Sequence, residues 1–330
     1  MTAVRRRTCV APGQITERSE LHPPTDATQS RPYLKPAANH PVSGSPLNSA
    51  SLSWVGLSAL AQPRLTKGGQ FYLRKWISSS IPHRSSSILF PMSDIATSAG
   101  TVRVLSREES FAELARLIND LAARGPASVG LSGGSTPKAF YAWAVQTGAL
   151  TAEAIARIDW HVSDERCVPL SSDDSNFGHA VRGMLDALGV PAARRFPWPT
   201  ELAPPAAAAA YEAAWAKRSP SKAFDLCVLG LGDDSHIASL WPKCPLIGQK
   251  TGPRFTATEW PGRGWRLTIT EAGLAQCAAI VVLVGGAGKA AALREIAHGE
   301  FAPSAHPGQV LRAHSSRVTW LADQPAAALL

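Results

Sequence analysis

No stretch of the sequence approaches the roughly 20 consecutive apolar residues that cross a bilayer. The longest apolar run in its C-terminal half covers residues 278–284, the length of a buried strand. A soluble protein with no membrane partner is expected. No His-Glu-x-x-His and no other metal-ligand spacing occurs. None of the five cysteines, Cys9, Cys167, Cys227, Cys244 and Cys277, forms a Cys-x-x-Cys pair. These absences argue against a metal site. An odd cysteine number in a long chain suits free thiols in a reducing compartment better than a disulfide framework. Internal repeats are absent too, which excludes a solenoid.

Acidic residues are scarce in the first quarter of the chain. Residues 1–91 hold 11 Lys and Arg against 3 Asp and Glu. The whole chain holds 33 and 25, so the remainder has 33 − 11 = 22 basic and 25 − 3 = 22 acidic residues, and the formal charge of +8 arises entirely in the first segment. A neutral remainder has no general attraction for polyanions, so nucleic acid is not an expected partner, although a local anion site remains open. The first segment is also rich in Ser, Pro and Arg, as in Ser43-Gly44-Ser45-Pro46 and Arg84-Ser85-Ser86-Ser87. Such composition buries too little apolar surface to offset chain entropy. It reads either as an organelle transit peptide or as a disordered or mis-assigned extension ahead of a start at Met92. The second reading is preferred, because a transit peptide need not end at a methionine. Residues 92–330 are then expected to form a single domain, and cytoplasmic residence follows.

From Thr101 onward, short apolar strands alternate with amphipathic helices. Strands are expected at 102–104, 127–131, 158–162, 225–229, 267–270, 280–284 and 318–321. Helices are expected at 106–123, 136–145, 176–188, 206–217, 271–277 and 289–297. Ser106 suits a helix cap, Glu108 and Glu109 suit the positive end of that helix, and Phe111, Leu114, Leu117 and Leu121 share one face. Alternation of this kind implies a Rossmann-like α/β fold, a mostly parallel sheet with helices on both faces.

In such sheets ligands bind beyond the carboxyl ends of the strands, and four strand ends carry unusual chemistry. Ser132-Gly133-Gly134-Ser135-Thr136-Pro137 follows a strand and opens a helix. Its glycines admit a ligand to the backbone, and its helix N-terminus offers free N–H groups, an arrangement suited to phosphate. Read conservatively, it is a tight turn with Ser135 as a cap. Ser163-Asp164-Glu165-Arg166 places three consecutive charges at a strand end, where burial in a core is not expected; a solvated loop with an internal ion pair is the alternative. The segment from Gly230 to Pro242 sets His236 beside Asp233 and Asp234, so a carboxylate can fix the tautomer of a general base. A lone histidine is more often only a satisfied polar residue. Gly286-Ala287-Gly288-Lys289 puts a lysine at a helix N-terminus, against the macrodipole unless an anion lies between them.

These segments, with Val168-Pro169, Asp174-Ser175-Asn176 and Arg266-Leu267-Thr268-Ile269-Thr270, resemble the superfamily of glucosamine-6-phosphate isomerases and 6-phosphogluconolactonases over roughly Thr101 to Ala322. Arg166 after the acidic pair and Ala238-Ser239-Leu240-Trp241-Pro242 after the histidine resemble the lactonase branch. The resemblance implies hydrolysis of 6-phospho-D-glucono-1,5-lactone, with a small phosphosugar lactone as partner and no cofactor. His236 becomes the general base, Asp234 shapes its environment, and Arg166 with backbone N–H groups near Ser235 meets the oxyanion. Ser132, Gly133, Gly134, Ser135, Thr136, Arg266 and Lys289 hold phosphate, and Asp164 contacts substrate. The alternatives are an amino-sugar-phosphate isomerase or deaminase, and a non-catalytic phosphosugar-binding module. A monomer or small homo-oligomer is expected. Ser235 stands where the family usually has Gly, and Trp241 where it has Phe. If that backbone needs positive φ, Ser235 is strained and lower activity or altered substrate preference follows.

Overall fold

The structure, a computed structural model, describes residues 94–330. The expectations for residues 1–91 and for Met92 lie outside the described residues. In chain order the strands are β1 Asp94–Thr97, β2 Gly100–Val104, β3 Ala127–Leu131, β4 Ile158–Val162, β5 Asp164–Arg166, β6 Leu226–Gly230, β7 Phe255–Trp260, β8 Gly264–Ile269, β9 Ala279–Val284 and β10 Val318–Ala322. The α-helices are α1 Arg107–Arg124, α2 Ser135–Thr147, α3 Ala152–Arg157, α4 Asn176–Ala180, α5 Pro204–Arg218, α6 Glu271–Ala275 and α7 Ala290–His298. Among the described residues no helix is long and apolar enough to cross a membrane.

Helix α1 begins where its sequence says it should. Ser106 Oγ accepts from the Glu109 amide at 3.2 Å, and the Glu109 carboxylate accepts from the Ser106 amide at 2.8 Å. This reciprocal cap satisfies two amides that a helix start leaves free. Phe111, Leu114 and Ile118 then fall on its buried face.

Seven strands form the main sheet in the order β1-β2-β10-β9-β6-β3-β4, parallel throughout except for β1. Strands covered by helices on both faces must be apolar on both. Accordingly, the last five residues of β9 are all apolar and buried, whereas β4, at the sheet edge, buries Asp159 and His161 on one face against Arg194 and Tyr211. The chain runs outward from β3 to β4, then returns to β6 and proceeds the other way through β9 to β10. The crevice between β3 and β6 is therefore the point where strand order reverses, the usual ligand position in open α/β sheets.

Two departures from the sequence reading matter for the site. Residues 164–166 are a strand rather than a loop, and β7 was not foreseen. Together with β8 they make a separate antiparallel sheet, β5-β8-β7. Three residues are too few to show an alternating pattern. The second departure concerns 176–188, which starts as α4 but continues as a π-helical turn, Val181–Leu185.

Candidate active site

Loops after β3, β4, β6 and β9, four adjacent strands, converge on the crevice. The loop after β3 turns through Gly134, whose φ of +97° leads directly into α2. Gly133 is required by space: an added Cβ would lie 2.0 Å from Asn176 Oδ1. Below the loop, the buried Tyr141 hydroxyl donates to the Ser132 carbonyl at 2.7 Å and fixes its height. The amides of a helix start thus face the cavity on a rigid base, as anion binding needs.

Lys289 closes a single 3-10 turn, Ala287–Lys289, and stands at the start of α7. Asp323, just past β10, anchors that turn by accepting the Gly286 amide at 2.8 Å. A lysine at a helix N-terminus is repelled by the dipole. The two share a preference for an anion.

After β6, Gly232 allows the chain to fold back on His236: a Cβ there would lie 2.0 Å from His236 Nδ1. The imidazole Nδ1–H donates to Asp234 Oδ1 at 2.5 Å, and the same oxygen accepts the His236 amide at 3.1 Å. Burial raises the Asp234 carboxyl, but the charge and hydrogen bonds of His236 outweigh it and leave it below its ordinary value. With Nδ1 committed to a carboxylate, Nε2 keeps its lone pair for a proton. Trp260 stands edge-to-face against the ring, centroids 5.2 Å apart.

Between these residues, Ser235 adopts φ +70°, the left-handed conformation that favours glycine. Its hydroxyl meets His306 Nδ1 at 3.2 Å. Left-handed backbone costs a non-glycine residue roughly 1–2 kcal/mol, and a hydrogen bond returns about 0.5–1.5 kcal/mol. The two nearly cancel. Ser235→Gly is therefore expected to change stability by less than about 1 kcal/mol, as read from a denaturant midpoint. A loss of more than twice that would show that the His306 contact dominates.

The acidic segment after β4 corrects the sequence reading. Glu165 is fully buried and Asp164 nearly so. The Glu165 carboxylate accepts four hydrogen bonds, from the amides of Arg166 (2.8 Å), Asn176 (2.7 Å) and Phe177 (2.8 Å) and from Ser175 Oγ (2.9 Å). Burial pushes its carboxyl up, against these donors that pull it down. A charge enters a core only with such partners. Here it ties β5 to the start of α4. Asp164 Oδ2 accepts from Ser239 Oγ at 2.8 Å, which joins the β4 and β6 loops. The Arg166 guanidinium donates to the Asp174 carbonyl at 2.5 Å.

Residues 132–136, Asp164, Arg166, His236 and Lys289 line one cavity of about 240 Å³. Two of the expected residues do not. Asp234 stands behind His236, and Arg266 lies on β8 opposite Arg166, on the wall of a neighbouring cavity that Arg166 also borders. Asn176, Glu165 and Asp323 were missed as site residues. Ser175 capping α4 (its Oγ accepts from the Gly178 amide at 2.9 Å) was legible as a signal for the first. Asn176 is buried on the cavity wall, and its Oδ1 has no hydrogen-bond partner among the described residues.

Residues 106–320 match the family glucosamine-6-phosphate isomerases/6-phosphogluconolactonase. The 6-phosphogluconolactonase of Synechocystis sp. is 36% identical over 217 residues, covering 64% of this chain and 88% of its own. That of Mycobacterium tuberculosis is 32% identical over 264 residues, covering 74% and 99%. The solved structure of 6-phosphogluconolactonase from Trypanosoma brucei superposes with a TM-score of 0.59 at 25% identity, over 72% of this chain and all of that one.

Proposed function

Since the chain belongs to the family of glucosamine-6-phosphate isomerases and 6-phosphogluconolactonases, we propose that it hydrolyses 6-phospho-D-glucono-1,5-lactone to 6-phosphogluconate, in the oxidative branch of the pentose phosphate pathway. The observation that carries this reading is the carboxylate-fixed His236 sharing one cavity with a glycine-rich helix start and Lys289.

In this reading the phosphate lies on residues 132–136 and Lys289, which brings the lactone carbonyl toward His236 and Arg166. His236 Nε2 takes a proton from water as its oxygen bonds to the carbonyl carbon. The imidazolium so formed is stabilised by Asp234. Arg166 stabilises the oxyanion, a role in which one preorganised donor contributes roughly 10²–10³ in kcat. When the ring C–O bond breaks, the proton on His236 passes to the departing ring oxygen. Atoms and charge balance with water as the only co-reactant, so no cofactor enters. A deaminase would act on an amino sugar phosphate instead, and the relatives named 6-phosphogluconolactonase do not favour it. Arg266, on the wall of the adjoining cavity, is assigned no direct contact with this phosphate.

The test is hydrolysis of freshly made lactone, corrected for its spontaneous opening, beside turnover of glucosamine 6-phosphate. Activity on the second alone, or on neither, would overturn the reading. Lys289→Ala is expected to raise KM roughly tenfold to a hundredfold, the equivalent of one charged hydrogen bond, with a smaller change in kcat, because phosphate is held alike in ground and transition states. An unchanged KM would remove Lys289 from the phosphate site.

Residues 1–91 are assigned no part in this chemistry, and residues 92–330 form the working domain. A chain starting at Met92 is expected to keep the kcat and melting temperature of the full chain, and a large fall in either would contradict this. We assign the protein to the cytoplasm, as a monomer or small homo-oligomer.

A further inference from the structure

Arg166 and Arg266 stand directly opposite each other in the β5–β8 register. Like charges at that position destabilise an antiparallel pair. Arg263, in the turn between β7 and β8, adds a third guanidinium, stacked over Trp260 at 4.6 Å, with Arg266 5.9 Å from the same ring. None of the three forms an ion pair among the described residues. Among the described residues the one carboxylate residue on the wall is Asp174, which meets Arg166 through its backbone carbonyl. Asp164, whose charge also reaches Arg266, already accepts a bond from Ser239. The three arginines line a cavity of about 460 Å³, separate from the catalytic one, and the exposed Trp265 forms part of its wall. Burial and the charges of Arg166 and Arg263 hold Arg266 below its ordinary basicity. An unbalanced cluster of this kind is relieved by a bound anion. Guanidinium groups match the geometry of phosphate oxygens.

We propose that this cavity is a second anion site, which takes a nucleoside phosphate: the phosphoryl group lies on Arg166, Arg263 and Arg266 and the flat base on Trp265. A planar base and an indole stack, and an arginine cluster alone would not select for one. Arg166, which lactone hydrolysis uses, borders both cavities, so an occupant here lies beside a filled catalytic cavity without displacing its ligand.

Calorimetric titration of the full chain tests this. Binding of 6-phosphogluconate is measured first, so that failure of the lactonase reading shows separately. The product-saturated chain is then titrated with adenosine 5′-monophosphate and with ribose 5-phosphate. Adenosine monophosphate is expected to bind the saturated chain. Arg263→Ala, at an exposed turn, should weaken that binding at least roughly tenfold, and Arg263→Lys less, as expected for loss of one charged contact. Trp265→Ala should bring the nucleotide down to the affinity of the sugar phosphate. Without product, Lys289→Ala should leave nucleotide binding unchanged. No binding to the saturated chain, equal binding by Arg263→Ala, or loss of binding in Lys289→Ala would each overturn the second site. Equal affinities of the two ligands for the unaltered chain would overturn the role of Trp265.

Discussion

His236→Ala is expected to lower kcat roughly 10²- to 10⁴-fold, the usual contribution of a general base, with little change in KM. The size of the effect follows from geometry. The 2.5 Å contact with Asp234 fixes one ring nitrogen, and the ring stands on the wall of the cavity that residues 132–136 and Lys289 also line. Among the described residues no other histidine lines that cavity. His236→Gln should do no better, because glutamine fills similar space but cannot accept the proton. Every rate must be set against the no-enzyme control, since the lactone opens spontaneously. A Gln variant that keeps near-wild-type kcat above that background would make His236 structural. Asp164 would then be the next candidate base, although its carboxylate already receives the Ser239 hydroxyl.

Glu165→Ala should produce the largest loss of stability. Removing the carboxylate strands four donors at a fully buried position, from Arg166, Ser175, Asn176 and Phe177. Breaking a buried charged network of this kind costs about 3–5 kcal/mol. For a domain of this size each 1 kcal/mol lowers Tm by about 2–4 °C. Activity should fall as well, because the same carboxylate holds the backbone of Arg166 and Asn176 on the cavity wall. Glu165→Gln separates the two effects. It preserves one acceptor oxygen but turns an amide NH2 toward donors, so it should recover part of the stability and of kcat. Chemical denaturation of the two variants, beside their lactone kinetics, measures both. An Ala variant within about 1 kcal/mol of the parent would mean that water or a shifted loop replaces the carboxylate.

The contrast between His236 and Glu165 shows which features were legible in sequence. His236 is placed by a local device: Asp234 two residues earlier and a glycine at 232 that lets the chain fold back. A short-range arrangement can be read from a short stretch. Glu165 takes partners ten to twelve residues away, on a helix whose start abuts β5 only after folding. In sequence it resembles any charge in a surface run, and a solvated loop was the natural expectation.

Local chemistry in the sequence determined the alternation of strands and helices, the cap at Ser106, the glycine-rich helix start at residues 132–136 and the pairing of His236 with Asp234. Each depends on residues a few positions apart, within reach of backbone geometry and side-chain length. Tertiary structure alone decided that β6 lies beside β3, where Ser128 and Asp225 bond across 97 residues of chain. It also decided that Glu165 is buried and that Arg266 faces Arg166 instead of the cavity with Lys289. Strand order and cross-strand register are set by which apolar faces pack together over the whole domain. That is a property of the assembled sheet, and no single segment carries it.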